Sequence, residues 1–308
     1  MSTLLAISSI YIFIVTGFVA KKVFKDEVDE RTLILVSIYF LQPILTFWGL
    51  TRAPIDFNII YTPFLYFIIV TVTLLILWIV SIFIFDDSKD KSIFIASSLI
   101  GNTGNLAIPL GIALFGESSI PYTSIINIAN IFFIYTIGIY FYAKSSYSLK
   151  ESFYSIIKIP ILWFAFLALA FNYLQIPINE QFNRILEMGA YSTIVIQLMI
   201  FGMYLSKTTV KTLDLKLNIL VSFTKLIFLP IVGIFILYFS NLPYEIAQIL
   251  VLSLAVPLAV NNVNIASLYK CKPLEVTNIV FLSSLVFLVL IYFDLKLLEY
   301  IYDIQIEL

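Results

Sequence analysis

The chain has 308 residues, 61% hydrophobic and 12% charged, with 18 Lys+Arg, 19 Asp+Glu and no histidine. A soluble domain is roughly a quarter charged, so this composition cannot coat a water-soluble particle, and an integral membrane protein is expected. The net charge of -1 carries no signal for nucleic acid, the missing histidine removes HExxH zinc and Ser–His chemistry, and the lone Cys271 cannot form an internal disulfide.

The apolar residues come in long runs, as spanning helices require, and not in the ten-residue alternation of barrel strands. Ten spans are predicted. The first covers 3–20, lacks a basic n-region and a small-residue cleavage site, and reads as a retained helix. The second, 32–50, carries Gln42 and Pro43, and the third, 59–85, has no charge at all. Asp86, Asp87 and Asp90 follow as DDSKD. That run could be read as a diphosphate-binding motif, but it has no second acidic cluster and is interleaved with Lys89 and Lys91, which favours a solvated loop.

The fourth span, 92–115, is a poor helix in its middle. Gly101, Asn102, Thr103, Gly104 and Asn105 precede Pro109, so the helix is expected to unwind near Asn105 and restart near Pro109. The fifth span, 119–143, places Asn127 and Asn130 at helical spacing, and a polar linker follows at 144–155. Spans at 156–174, 185–205 (with Gln197) and 217–239 come next. In the ninth, 244–268, Pro257 is followed by Asn261, Asn262 and Asn264, a second interruption in an otherwise apolar run. A tenth span at 275–297 and a short acidic tail at 298–308 close the chain.

Fourteen Lys and Arg fall in loops after odd-numbered spans and three in loops after even-numbered spans or the tail, with Lys225 inside the eighth span set aside. The positive-inside rule then puts both termini outside the cell membrane. Five spans on each side of the linker have opposite orientations, which is the plan of an inverted repeat, 1–143 against 156–297. The two interruptions fall in corresponding spans. Opened helices offer free N–H groups that favour an anion and free carbonyls that favour a cation. Asparagine amides can bind a carboxylate without a buried lysine. The candidate substrate-binding set is therefore Asn102, Thr103, Asn105, Pro109, Pro257, Asn261, Asn262 and Asn264, joined by Asn127, Asn130, Gln42 and Gln197. For either interruption alone, a structural kink or interhelical glue accounts equally well.

GNTGNLAIPLGIALFG at 101–116, AVPLAVNNVNIASLYKCKP at 255–273 and FLQPIL in the second span resemble the auxin efflux carrier family, which includes bacterial malonate and malate carriers. The resemblance covers nearly the whole chain. It implies an all-α, ten-span, five-plus-five inverted repeat in which the fourth and ninth spans cross. It also implies a scaffold of the first, second, sixth and seventh spans beside a transport domain, a homodimer, and substrate contact by Asn102 or Asn105 and Asn261 or Asn262. Asn105 departs from the apolar residue more usual there, which bears on the substrate. The expectation is a secondary transporter of small organic anions, auxin-like or dicarboxylate, working by alternating access, with no catalytic residue, metal or cofactor. A membrane-embedded ligand sensor and a lipid-processing enzyme using Asp86 and Asp90 are the alternatives. The span interiors hold no acid or histidine for proton coupling, so sodium on opened carbonyls, a proton carried by the substrate, and uncoupled movement all stay open.

Overall fold

A computed structural model describes residues 3–52, 54–143, 157–206 and 214–307, and the linker expected at 144–155 lies outside them. The described residues are helical and contain no β-strand. In chain order the helices are α1 (Thr3–Phe24), α2 (Glu30–Thr51), α3 (Phe57–Ile84), α4 (Ser88–Leu99), α5 (Thr103–Phe115), α6 (Glu117–Ala143), α7 (Pro160–Tyr173), α8 (Glu180–Ser206), α9 (Leu215–Tyr238), α10 (Tyr244–Ala255), α11 (Asn261–Leu268) and α12 (Pro273–Glu307). Among the described residues α2, α3, α6, α8 and α9 are each long and apolar enough to cross a membrane, and the two arms of α12, bent by 57°, together form a sixth candidate. The last helix does not stop at 297 but continues to Glu307.

Polarity is inverted relative to a soluble protein. Phe83 is 83% exposed and Phe57 72%, whereas Asn130 is 2% and Asn262 0% exposed. An apolar exterior suits hydrocarbon, and backbone groups there must be satisfied within each helix. Asp29, Asp56, Asp87 and Asp214 each cap the helix that follows, so these four carboxylates sit at the ends of the apolar rods.

Among the described residues, four helices contain one wide π turn, and three of the four have the same cause. The turns at Ser37–Leu41, Thr103–Ala107 and Thr224–Phe228 are each followed two residues later by a proline: Pro43, Pro109 and Pro230. A proline ring clashes with the carbonyl four residues back, here that of Tyr39, Asn105 or Leu226, at the centre of each π turn. Widening the turn relieves the clash without ending the helix. Regular α-helix begins at Ile108 with Pro109 in its first turn, as the sequence implies, but the chain is already helical from Thr103 through the π turn. The break lies earlier, at 100–102, and Pro109 sits in the first regular turn after the π segment.

The helices sort into two groups. In one, α1 packs on α8, and α2 on α7 and α8; in the other, α3 packs on α4, α6 and α9, and α12 on α9, α10 and α11. Between the groups run the contacts of α2 with α6, α1 with α5, and α8 with the start of α5. The cavity described next lies in this seam.

Candidate functional site

The two interruptions meet. The N–H of Asn102 donates to the Pro257 carbonyl at 2.9 Å, the N–H of Ala259 donates to the Ile100 carbonyl at 3.2 Å, and Gly101 pairs antiparallel with Leu258. Each broken segment thus satisfies backbone groups that the other freed, which is why two breaks at the same level are tolerated where one would leave orphans. The outer ends are tied as well. Lys272, just before α12, pairs with Asp87 at 2.7 Å and Asp90 at 2.5 Å, and the Lys89 ammonium donates to the Lys270 carbonyl at 3.0 Å. Partial burial opposes the charge on Lys272, but its hydrogen bonds to Asp87 and Asp90 outweigh this and hold it above the usual lysine range. The DDSKD run is accordingly a helix cap and ion-pair partner.

Beside the paired breaks lies a cavity of about 110 Å³. Its walls come from α2 (Ile34, Ser37, Ile38, Gln42), the break and the start of α5 (101–105), α6 (Asn127, Asn130, Ile131, Ile134, Tyr135), α8 (Gln197, Ile200, Tyr204), the break and start of α11 (Ala259, Val260, Asn261, Asn264), and Ile159. Among the described residues, no charged side chain lines it. Both α5 and α11 begin at its wall, and the first N–H groups of a helix have no intrahelical partner. The dipoles of both helices therefore point positive toward the same space.

Nine of the twelve residues singled out from sequence line this cavity: Gln42, Asn102, Thr103, Asn105, Asn127, Asn130, Gln197, Asn261 and Asn264. Pro109, Pro257 and Asn262 do not. Pro257 offers its carbonyl to Asn102, and Pro109 shapes the π turn. Asn262 is fully buried behind the break. Its amide donates to the Ile100 carbonyl at 3.1 Å and the Ala259 carbonyl at 2.9 Å, and its Oδ1 accepts from the Tyr142 hydroxyl at 3.1 Å.

The lining amides divide by what they already bond. Asn130 donates to the Gly101 carbonyl at 2.9 Å and to Thr103 Oγ1 at 2.8 Å, and accepts from the Tyr66 hydroxyl at 3.0 Å. Thr103 donates onward to Asn127 Oδ1 at 2.8 Å. These three side chains form a closed network that holds the start of α5. Gly104 leaves room for it, since a Cβ there would stand 2.9 Å from Asn127 Oδ1. By contrast, Asn102 Nδ2 and both amide atoms of Gln197 are buried without a partner. Buried unsatisfied amides are costly, and both residues belong to the cavity wall.

Sequence reasoning missed the tyrosines. Tyr66 and Tyr142 brace Asn130 and Asn262 from behind, and Tyr204 donates to Asn264 Oδ1 at 2.9 Å across the seam. Tyr204 lies seven residues after Gln197, two helical turns along the same face, and that spacing was a usable signal. Tyr66 and Tyr142 had none, because each sits among many aromatic residues in an apolar run.

A family model described as membrane transport protein matches residues 3–293. Comparison with curated proteins gives no significant match.

Proposed function

We propose, from the premise that this chain belongs to the membrane transport protein family, which is the auxin efflux carrier family, that it is a secondary transporter of small organic anions working by alternating access. The observation that carries the substrate class is the charge-free, amide-lined cavity onto which two half-helices open their N-termini. An anion there gains dipole and amide donors, and a wall of isoleucines accepts its apolar part. Asn102, Asn105, Asn261 and Gln197 contact the substrate in this reading; Thr103, Asn127 and Asn130 position the start of α5, and Gln42 and Asn264 complete the rim.

The same reading takes 1–143 and 156–297 as two inverted repeats with ten spans in all. The group of α1, α2, α7 and α8 is the static scaffold, which dimerises with a second copy, and the remaining helices move against it. By the positive-inside rule both termini face outside the cell membrane. The cavity then lies toward the cytoplasm, along the 34–42 half of α2 and the 197–204 half of α8.

Reconstitution into proteoliposomes tests the proposal. Uptake of labelled indole-3-acetate or malonate is expected in wild-type vesicles and lost with Asn105→Ala. Wild-type uptake in that variant would reject the site, and no uptake of any carboxylate in a screen would reject the substrate class.

The opposite ends of α2 and α8 carry a latch between the two groups. Arg52 pairs with Glu117 and lies 4.6 Å over the Trp48 ring, and the Tyr191 hydroxyl donates to Glu117 Oε1 at 3.0 Å. In an inward-facing carrier this closes the outer side. Glu117→Gln removes a partly exposed ion pair worth up to about 1 kcal/mol, so the outward-facing population is expected to rise about fivefold. Maleimide labelling from outside at Ser124→Cys, in a Cys271→Ser background, measures it: Ser124 is buried against Gly49 of α2 in this state. An unchanged labelling rate would remove the latch from the mechanism.

A further inference from the structure

Lys225 is the most deeply buried charged side chain among the described residues, 1% exposed near the middle of α9. It sits in the π turn Thr224–Phe228, and its ammonium donates to the Leu254 carbonyl at 2.8 Å. Leu254 is the penultimate residue of α10, so this carbonyl is one that the end of a helix leaves without an intrahelical donor. The ammonium also lies against the other break. A Cβ built on Gly101, two residues past the end of α4, would stand only 2.7 Å from Nζ. Glycine at 101 is thus what lets the cation reach this place. No carboxylate among the described residues lies within ion-pair distance of Nζ.

An isolated ammonium in such a site is strongly disfavoured unless something replaces its water. What replaces it here is the negative end of α10, with the end of α4 close by. Two more carbonyls at the breaks are taken by groups of the chain: Ile100 by Asn262 and Ala259, Gly101 by Asn130. The crossing therefore has its N-terminal ends at the cavity wall, while on its C-terminal side the Leu254, Ile100 and Gly101 carbonyls bond groups of the chain itself.

We propose that Lys225 is a tethered counter-cation, filling the place where paired helix C-termini would otherwise hold a free monovalent cation. The crossing then needs no bound sodium to stay assembled, and, on the transporter reading above, the anion is bound against a fixed positive charge one backbone layer behind Gly101. Lys225 is a positioning residue, since Gly101 stands between it and the cavity.

The test needs no substrate, so its outcome is separate from that of the uptake assay. Thermal unfolding of the purified protein is followed in sodium chloride and in choline chloride at equal ionic strength. The wild-type midpoint is expected to be the same in both salts. Lys225→Ala should unfold at lower temperature, and its midpoint should rise in sodium chloride over choline chloride, or on adding ethylammonium, which replaces the missing end of the side chain. Lys225→Arg should keep the wild-type indifference. Where the alanine variant does not fold, Lys225→Gln, which keeps a donor and most of the volume, takes its place in the same comparison. A sodium-specific rise in the wild type would overturn the proposal. So would a charge-removed variant that matches the wild type or responds to neither cation.

Discussion

Asn262→Ala is expected to destabilise the fold, whereas Asn102→Ala and Asn261→Ala should fold normally and lose substrate. The asparagines look interchangeable in sequence, but their bonds differ. Removing the Asn262 amide deletes three buried bonds, to the Tyr142 hydroxyl and the Ile100 and Ala259 carbonyls, although Ser97 and the backbone N–H groups of residues 259 and 262 still reach those three groups. At about 0.5–1.5 kcal/mol for each hydrogen bond lost, the three together are a sizeable part of a net stability of about 5–15 kcal/mol. Asn102 Nδ2 has no partner to strand. Its removal costs little in the empty protein but deletes a bond to a charged ligand, worth about 1.5–3 kcal/mol. Affinity should fall about 10- to 100-fold, since each 1.4 kcal/mol is about tenfold. Size-exclusion profiles and unfolding midpoints separate the first effect from uptake or ligand-induced stabilisation, which reads the second. A stable Asn262→Ala protein with impaired binding would exchange the two roles.

That division of labour marks what the sequence could and could not convey. The interruptions were legible because glycine, proline and several asparagines in mid-span have few explanations in hydrocarbon, and the second occurrence in the other half removed most of those. Their precise register was less legible. Regular α-helix does begin beside Pro109, but the chain re-enters helix earlier, through a π turn from Thr103, and nothing local in 101–109 announces that turn. Which amide faces the cavity and which faces inward depends on a pairing between residues 100–102 and 256–260, more than 150 positions apart. Lys225 was set aside in the charge count for the same reason. A lone lysine in a span acquires a meaning only when the carbonyl of Leu254 and the bare Cα of Gly101 are known to surround it.

Valine at Gly17 or Gly202 should disrupt assembly more than any other single glycine substitution in the bundle. These two residues form one crossing of α1 and α8. A Cβ on Gly202 would press into the Ile14 carbonyl group and lie 2.8 Å from the Phe18 nitrogen, and one on Gly17 would lie 2.6 Å from the Met199 Cα and press on its carbonyl. Both obstacles are backbone, so no rotamer change relieves them, and the helices must move apart. In lipid, where close packing rather than hydrophobic exclusion holds helices together, that separation forfeits dispersion along the whole crossing. Overpacking of this kind costs typically about 1–3 kcal/mol and occasionally more, and a rigid backbone obstacle belongs at the upper end. Gly189 on the same helix gives the control. A Cβ there meets side chain rather than backbone, with Ile44 Cγ2 2.9 Å away, so Gly189→Ala should cost less than alanine at Gly17 or Gly202. Because Gly17 and Gly202 guard one interface, the double alanine variant should cost less than the sum of the singles: once the helices have parted, the second methyl enters space already opened. Gln197 and Tyr204 flank Gly202 on α8, so the same displacement pulls one wall from the cavity, and ligand affinity should fall in step with stability. Additive costs would mean that the two glycines relieve separate contacts and that α1 and α8 can tilt rather than separate.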